Sequence, residues 1–195
     1  MRFRIKDAPA TFTLLALIAA VFVLEEASGG ATSPRVLVQF GALYPPLVWA
    51  GQWWRLIAVL FVHVGLAHVA LNGWALYQLG MLFEISFGSA RMLAVYFACG
   101  LGSSLASLFW TRGLSAGASG AIFGLLGALL VFLLRHRQRL RPEAKTLMIE
   151  LAFWAVINIA YGFSNPAIDN AAHLGGCAVG ALIGLTLVQH QRSAV

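Results

Sequence analysis

Seven polar side chains stand inside or at the edge of stretches that are otherwise almost wholly apolar: His63, His68, Asn72, Glu84, Ser119, Asn158 and His173. A polar group in such surroundings is costly, so it either pins helices together or does chemistry. Two of the seven have complementary types. A serine hydroxyl is a weak nucleophile until a base within hydrogen-bond reach takes its proton. A neutral imidazole is such a base, and it can hand the proton on to a leaving amine. Ser119 and His173 are therefore candidates for the nucleophile and the general base of an acyl transfer. That chemistry builds an oxyanion, which needs donors placed in advance. His68 and Asn72 are four residues apart, so on a helix they share a face, and both can donate hydrogen bonds. The backbone N–H of Ser119, at the start of a helix, points the same way.

The elements that must position these residues are membrane helices. The chain has 195 residues, 60% of them hydrophobic and 10% charged. Soluble domains run near 45–50% apolar and about 25% charged. One integral membrane domain over residues 1–195 is the expectation. Spanning a bilayer takes about 20 mostly apolar residues. Six stretches meet or approach that, at 9–27, 57–83, 89–111, 117–134, 146–164 and 169–189. They are continuous rather than alternating, which favours helices over strands, so the fold class is an all-α, polytopic six-helix bundle. The first run follows Arg2, Arg4 and Lys6 and also fits a signal peptide, with Ala27, Ser28 and Gly29 at the cleavage site. It is read as a span, because the segment after it carries no sign of a soluble domain. The connection 28–56 contains Tyr44, Trp49, Trp53 and Trp54, residue types that favour the membrane interface.

Charge sets orientation. The formal net charge of +6 raises nucleic-acid binding as a possibility, but the distribution answers it. With the N-terminus in the cytoplasm, all of the 13 Lys and Arg except Arg35, Arg55 and Arg112 fall on the cytoplasmic side. That is the positive-inside pattern, with both termini in the cytoplasm. The basic run from Arg135 to Lys145 is then a turn between spans four and five, not a nucleic-acid site.

Depth brings the two candidate residues level. Ser119 precedes Arg135, and His173 precedes Gln189, by the same number of residues, roughly 24 Å of helix in each case. Both spans run from outside to inside, so both residues lie a little below the outer surface of a hydrocarbon core about 30 Å thick. Gly120 and Gly124 on span four, and Gly176, Gly180 and Gly184 on span six, are small-residue stripes that let helix backbones approach. The expectation is that this packing carries His173 to Ser119. Asp169 begins the sixth helix, reads as its N-cap and is expected to point outward, which leaves a dyad. Cys99 and Cys177 sit in apolar runs as core residues, with no disulfide or zinc spacing. H-E-x-x-H is absent, and the histidines lack a carboxylate or thiol at suitable spacing, so neither metal nor cofactor is expected. A transporter would show repeats or a polar site at mid-membrane, and neither is evident.

Gly117-Ala118-Ser119-Gly120 resembles the G-x-S-G motif of the rhomboid intramembrane serine proteases. His63-x4-His68-x3-Asn72 is similar to that family's second-span signature, Trp54-Arg55 to its first-loop pair, and Ala172-His173-x2-Gly176-x3-Gly180 to its sixth-span motif. The resemblance runs from about Trp53 to Gly184. It implies Ser119 as nucleophile, His173 as general base and acid, and His68 and Asn72 as oxyanion donors. It further implies that His63 holds a loop, that Trp54-Arg55 lies in an interfacial loop, and that Glu84 is a buried structural carboxylate. Some bacterial members stack a Tyr on the histidine four residues after the nucleophile, where this chain has Phe123. The implied activity is cleavage of transmembrane proteins near the outer face, with substrate admitted sideways past spans two and five. The alternative is a non-catalytic rhomboid-like protein that binds membrane clients. Such proteins usually lack the serine or histidine, and both are present here.

Overall fold

The computed structural model describes residues 5–138, 140–165 and 168–188. Arg2, Arg4, Arg139, Arg192 and Gln189, used above for orientation and depth, lie outside the described residues. After a 3-10 turn at Ile5–Asp7 come α1 (Pro9–Ala27), three short helices α2 (Pro34–Phe40), α3 (Pro45–Trp49) and α4 (Arg55–Ala58), then α5 (Gly65–Phe87), α6 (Ser89–Trp110), α7 (Ser119–Arg135), α8 (Pro142–Ser164) and α9 (Asn170–Gly184). The fold is all-α. Proline begins α1, α2, α3 and α8, where its missing N–H costs nothing and its fixed φ suits the first helical turn. Among the described residues, α1, α6 and α8 are long and apolar enough to cross a membrane, and α7 is a shorter apolar helix.

The second span differs from expectation at its start. Residues 57–64 do not continue into α5. They close α4 and then run through turns, and the helix begins only at Gly65, which has φ +75°. Two ties hold this stretch out of the helix: Gly117 N–H donates to the Val59 carbonyl at 3.1 Å, and Ala118 N–H donates to His63 Nε2 at 3.3 Å. The other end runs on to Phe87, where Gly88 at φ +89° turns the chain directly into α6.

The connection between α1 and α5 is a folded platform. Arg55 is buried, with its guanidinium donating to the carbonyls of Val38 (2.7 Å) and Ala42 (3.0 Å) and to the Gln52 side chain (2.8 Å). Its Cζ lies 4.6 Å from the centroid of the Trp54 ring. Burial lowers the Arg55 pKa from the ordinary guanidinium value, and these acceptors and the aromatic face offset that cost. Gly41 ends α2 at φ +107°, and a Cβ there would press to 2.6 Å on both Trp54 and Ala58. Ser104 on α6 donates to the Leu56 carbonyl at 2.8 Å, tying the platform to the bundle.

α7 is the central helix and packs on α5, α6, α8 and α9. One core runs through the bundle, with Leu14, Ile18, Leu76, Phe83, Phe87, Tyr96 and Leu125 essentially inaccessible. Large apolar side chains also face outward, among them Trp74, Phe109, Trp110, Phe153 and Phe163. An apolar exterior on an apolar interior is the surface of an integral membrane protein. At the end of the bundle away from Ser119, Glu84 is buried and accepts from Ala10 N–H (2.8 Å), Thr11 N–H (2.7 Å) and the Thr11 hydroxyl (2.7 Å). It satisfies first-turn donors of α1 that have no partner within the helix.

Candidate active site

Ser119 is the first residue of α7, delivered by the loop that follows α6. Two features fix that loop. Leu43 and Ser115 exchange backbone hydrogen bonds at 2.9 Å each, joining it to the platform. Gly117 has φ +126°, a conformation L side chains rarely adopt, and a Cβ on it would come to 2.8 Å of the His68 ring. His63 then holds the next peptide. Its Nε2 accepts from Ala118 N–H, so Nδ1 carries the proton and donates to the Phe61 carbonyl at 3.1 Å. The backbone N–H of His63 itself donates to Glu25 Oε2 at 3.4 Å.

His173 lies one turn into α9 and is buried, 9% exposed. Its Nε2 is 2.8 Å from Ser119 Oγ. Phe123, one turn along α7, stacks on the imidazole with centroids 4.3 Å apart and planes 10° from parallel. The ring packing expected of that position is kept, without a hydroxyl. Accepting the serine proton requires a lone pair on Nε2, so Nδ1 carries the hydrogen; Nδ1 is buried without a hydrogen-bond partner among the described residues.

The glycines of α7 and α9 face each other. A Cβ on Gly176 would collide with the Gly120 carbonyl oxygen, and one on Gly180 with that of Gly124. Helices α7 and α9 are in backbone contact directly behind the serine and the histidine. The stripe is wider than the sequence indicates: a Cβ on Gly127 would press the Cys177 carbonyl oxygen at 2.6 Å, and one on Gly175 the Gly102 carbonyl oxygen at 2.8 Å.

His68 and Asn72 sit one turn apart on α5. His68 Nδ1 accepts from Val64 N–H at 3.4 Å, which leaves Nε2–H as a donor on the Gly117 side. The rings of His63 and His68 meet edge to face at 5.2 Å. Asn72 is buried and donates one amide proton to the His68 carbonyl at 3.0 Å, leaving the second for another acceptor.

The structure therefore gathers Ser119, His173, His68, His63, Gly117 and Phe123, with Asn72 next along α5. Trp54 and Arg55 build the platform, and Glu84 lies at the opposite end. Asn158 is exposed on α8 and donates to its own Trp154 carbonyl at 2.8 Å, outside the cluster. Asp169 departs from expectation. It caps α9, accepting Ala172 N–H at 3.0 Å, but it does not point outward: it accepts the hydroxyls of Ser107 on α6 and of Thr111, the residue that follows that helix. Glu25, fully buried at the end of α1, is a site neighbour that the sequence does not single out, since it stands at the end of an apolar run. Among the described residues no group of three or more His, Cys, Asp or Glu is placed to hold a metal ion.

Fold and site together define an all-helical integral membrane protein in which a half-buried serine is hydrogen-bonded to a buried histidine at the ends of two packed helices. The Rhomboid domain family matches residues 50–190, and the chain belongs to the rhomboid family. It is 42% identical over 166 residues to Rhomboid protease GluP of Bacillus subtilis (strain 168), covering 85% of this chain and 32% of that protein. It is 41% identical over 155 residues to RHOMBOID-like protein 5 of Arabidopsis thaliana, covering 78% of this chain and 50% of that one. Rhomboid protease AarA of Providencia stuartii is 29% identical over 217 residues, covering 97% of this chain and 77% of that protein. The chain thus spans about a third of the length of the first of these relatives and half of the second.

Proposed function

We propose that this chain is an intramembrane serine endopeptidase. The observation that carries the reading is the 2.8 Å approach of His173 Nε2 to Ser119 Oγ. His173 takes the Ser119 proton as Oγ attacks a peptide carbonyl. The oxyanion so formed is met by the Ser119 N–H, His68 Nε2–H and Asn72 Nδ2–H. The imidazolium then protonates the departing amine, leaving an acyl-enzyme, and water activated by the same imidazole hydrolyses it.

In this reading α1, α5, α6, α7, α8 and α9 are six spans of one membrane domain, residues 1–195. Both termini are cytoplasmic, the platform 28–56 rests in the outer leaflet, and the membrane is a bacterial inner membrane. The first-turn position of Ser119 supports a site just below the outer face. Substrates are transmembrane proteins, and a helix must unwind locally to offer a peptide bond, because intact helical backbone is shielded by its own hydrogen bonds. No cofactor, metal or nucleic acid takes part.

The test is fluorophosphonate labelling of the detergent-solubilised chain, with the adduct mapped by mass spectrometry. Labelling at Ser119 that is lost in Ser119→Ala and His173→Ala is the expected result. Folded wild-type protein that does not label would sink the reading in favour of a non-catalytic client-binding protein.

A further inference from the structure

A helix cap needs one acceptor, and Asp169 provides more than that. Oδ1 accepts the Ala172 N–H at 3.0 Å and the Thr111 hydroxyl at 2.8 Å, and Oδ2 accepts the Ser107 hydroxyl at 2.5 Å. Ser107 is buried, 1% exposed, near the C-terminal end of α6, and Thr111 follows one turn later. The main-chain oxygen of Asp169 accepts the His173 N–H at 3.2 Å. One residue thus grips α6 with its side chain and begins, with its backbone, the helical turn that ends on the candidate base.

The same face of α6 also meets the other half of the pair. Ser103 lies one turn before Ser107 and is buried against Gly120, where a Cβ would collide with its hydroxyl. Gly120 follows Ser119 directly. α6 therefore touches α7 next to the nucleophile and α9 one turn before the base. Capping alone does not account for two hydroxyls, from the last turn of α6 and the residue after it, on the capping carboxylate.

Building on the reading of Ser119 and His173 as nucleophile and base, we propose that Asp169 is a positioning residue. It docks the start of α9 on α6 at the height where His173 Nε2 meets Ser119 Oγ, with α6 as the common frame. The role is geometric, and Asp169 touches neither substrate nor reacting atoms.

The experiment is the kinetics of Ser119 labelling by a fluorophosphonate in the purified full chain. The labelling amplitude reports the folded fraction, and the rate constant reports the reactivity of each folded molecule. Asp169→Ala is expected to lower the rate constant about 10²-fold, the cost of displacing a reacting group by roughly 1 Å. Asp169→Asn keeps an acceptor for Ala172 and Thr111 and should stay within about tenfold of wild type. Ser107→Ala combined with Thr111→Val leaves the cap of α9 intact but unties it from α6, and is expected to slow labelling about tenfold. It decides the matter if Asp169→Ala does not fold. Wild-type rate constants in Asp169→Ala and in the double variant, with only the amplitude reduced, would show a cap and nothing more, and overturn the proposal alone. Failure of folded wild-type protein to label would overturn the dyad reading, and this proposal with it.

Discussion

Helices α7 and α8 are both apolar, yet they meet opposite fates. From Gly120 to Leu129 every residue of α7 is buried, whereas in α8 only Leu151 and Gly162 are. Phe153, Trp154, Val156, Ile157, Tyr161 and Phe163 of α8 face outward. In water that contrast would be paradoxical, because large apolar side chains drive burial. In a bilayer lipid is as apolar as leucine, so association depends on how closely backbones can approach. α7 and α9 supply glycines that meet backbone oxygens. α8 offers Gly162, which meets a side chain, that of Asn170. The 2.8 Å contact on which the proposed chemistry depends stands on the close-packed seam. The loosely held helix stands at the edge, where a proposed substrate helix would have to pass.

The largest expected effect comes from breaking the seam. In Gly180→Leu the new side chain meets the Gly124 carbonyl, a backbone atom that cannot rotate away. Overpacking of ordinary cores costs about 1–3 kcal/mol, and a backbone collision should reach or exceed the top of that range. Thermal unfolding in detergent should show a steep loss of melting temperature, together with loss of Ser119 labelling. A variant that melts like wild type would refute the packing argument. His68→Ala separates chemistry from packing, because His68 borders the seam on α5 without being part of it. Cleavage of a model transmembrane substrate should fall about 10²–10³-fold, as when one oxyanion donor is lost, while the melting temperature stays close to wild type. Equal losses of both would assign His68 to structure instead.

The part of this contrast legible in the sequence is the part fixed by depth and by small residues. Ser119 and His173 can be read as level because each stands near the start of its apolar run, and each falls in the first turn of its helix; the equal run to an inner end is not kept, since α9 stops at Gly184. The Gly120–Gly124 and Gly176–Gly180–Gly184 stripes are legible because glycine weakens a helix, so its repetition at helical spacing signals backbones that must approach. What the sequence hides depends on single hydrogen bonds between distant segments. Hydropathy continues through residues 57–64, so nothing local reveals that His63 is drawn to Ala118 and the helix delayed to Gly65. Asp169 is readable as a cap, but its partners Ser107 and Thr111 are small hydroxyl residues that look like filler in an apolar run. Glu25 is hidden in the same way, because its partner is a backbone N–H.

The smallest expected effect tests the edge helix with the same kind of change that is severe on the seam. In Gly162→Ala the added methyl meets the Asn170 amide, the end of a side chain that also donates to the Ile159 carbonyl at 3.2 Å. That amide can turn aside, and α8 has little other packing to disturb. The cost should stay within about 1 kcal/mol, with the rate of Ser119 labelling by a small fluorophosphonate unchanged. Gly180→Ala, adding the same methyl against the Gly124 carbonyl oxygen, should cost clearly more in the same melting experiment. If the two alanine variants were equally destabilised, α8 would be held as firmly as α9, and a loosely packed edge would no longer be available as the route by which a substrate helix reaches Ser119.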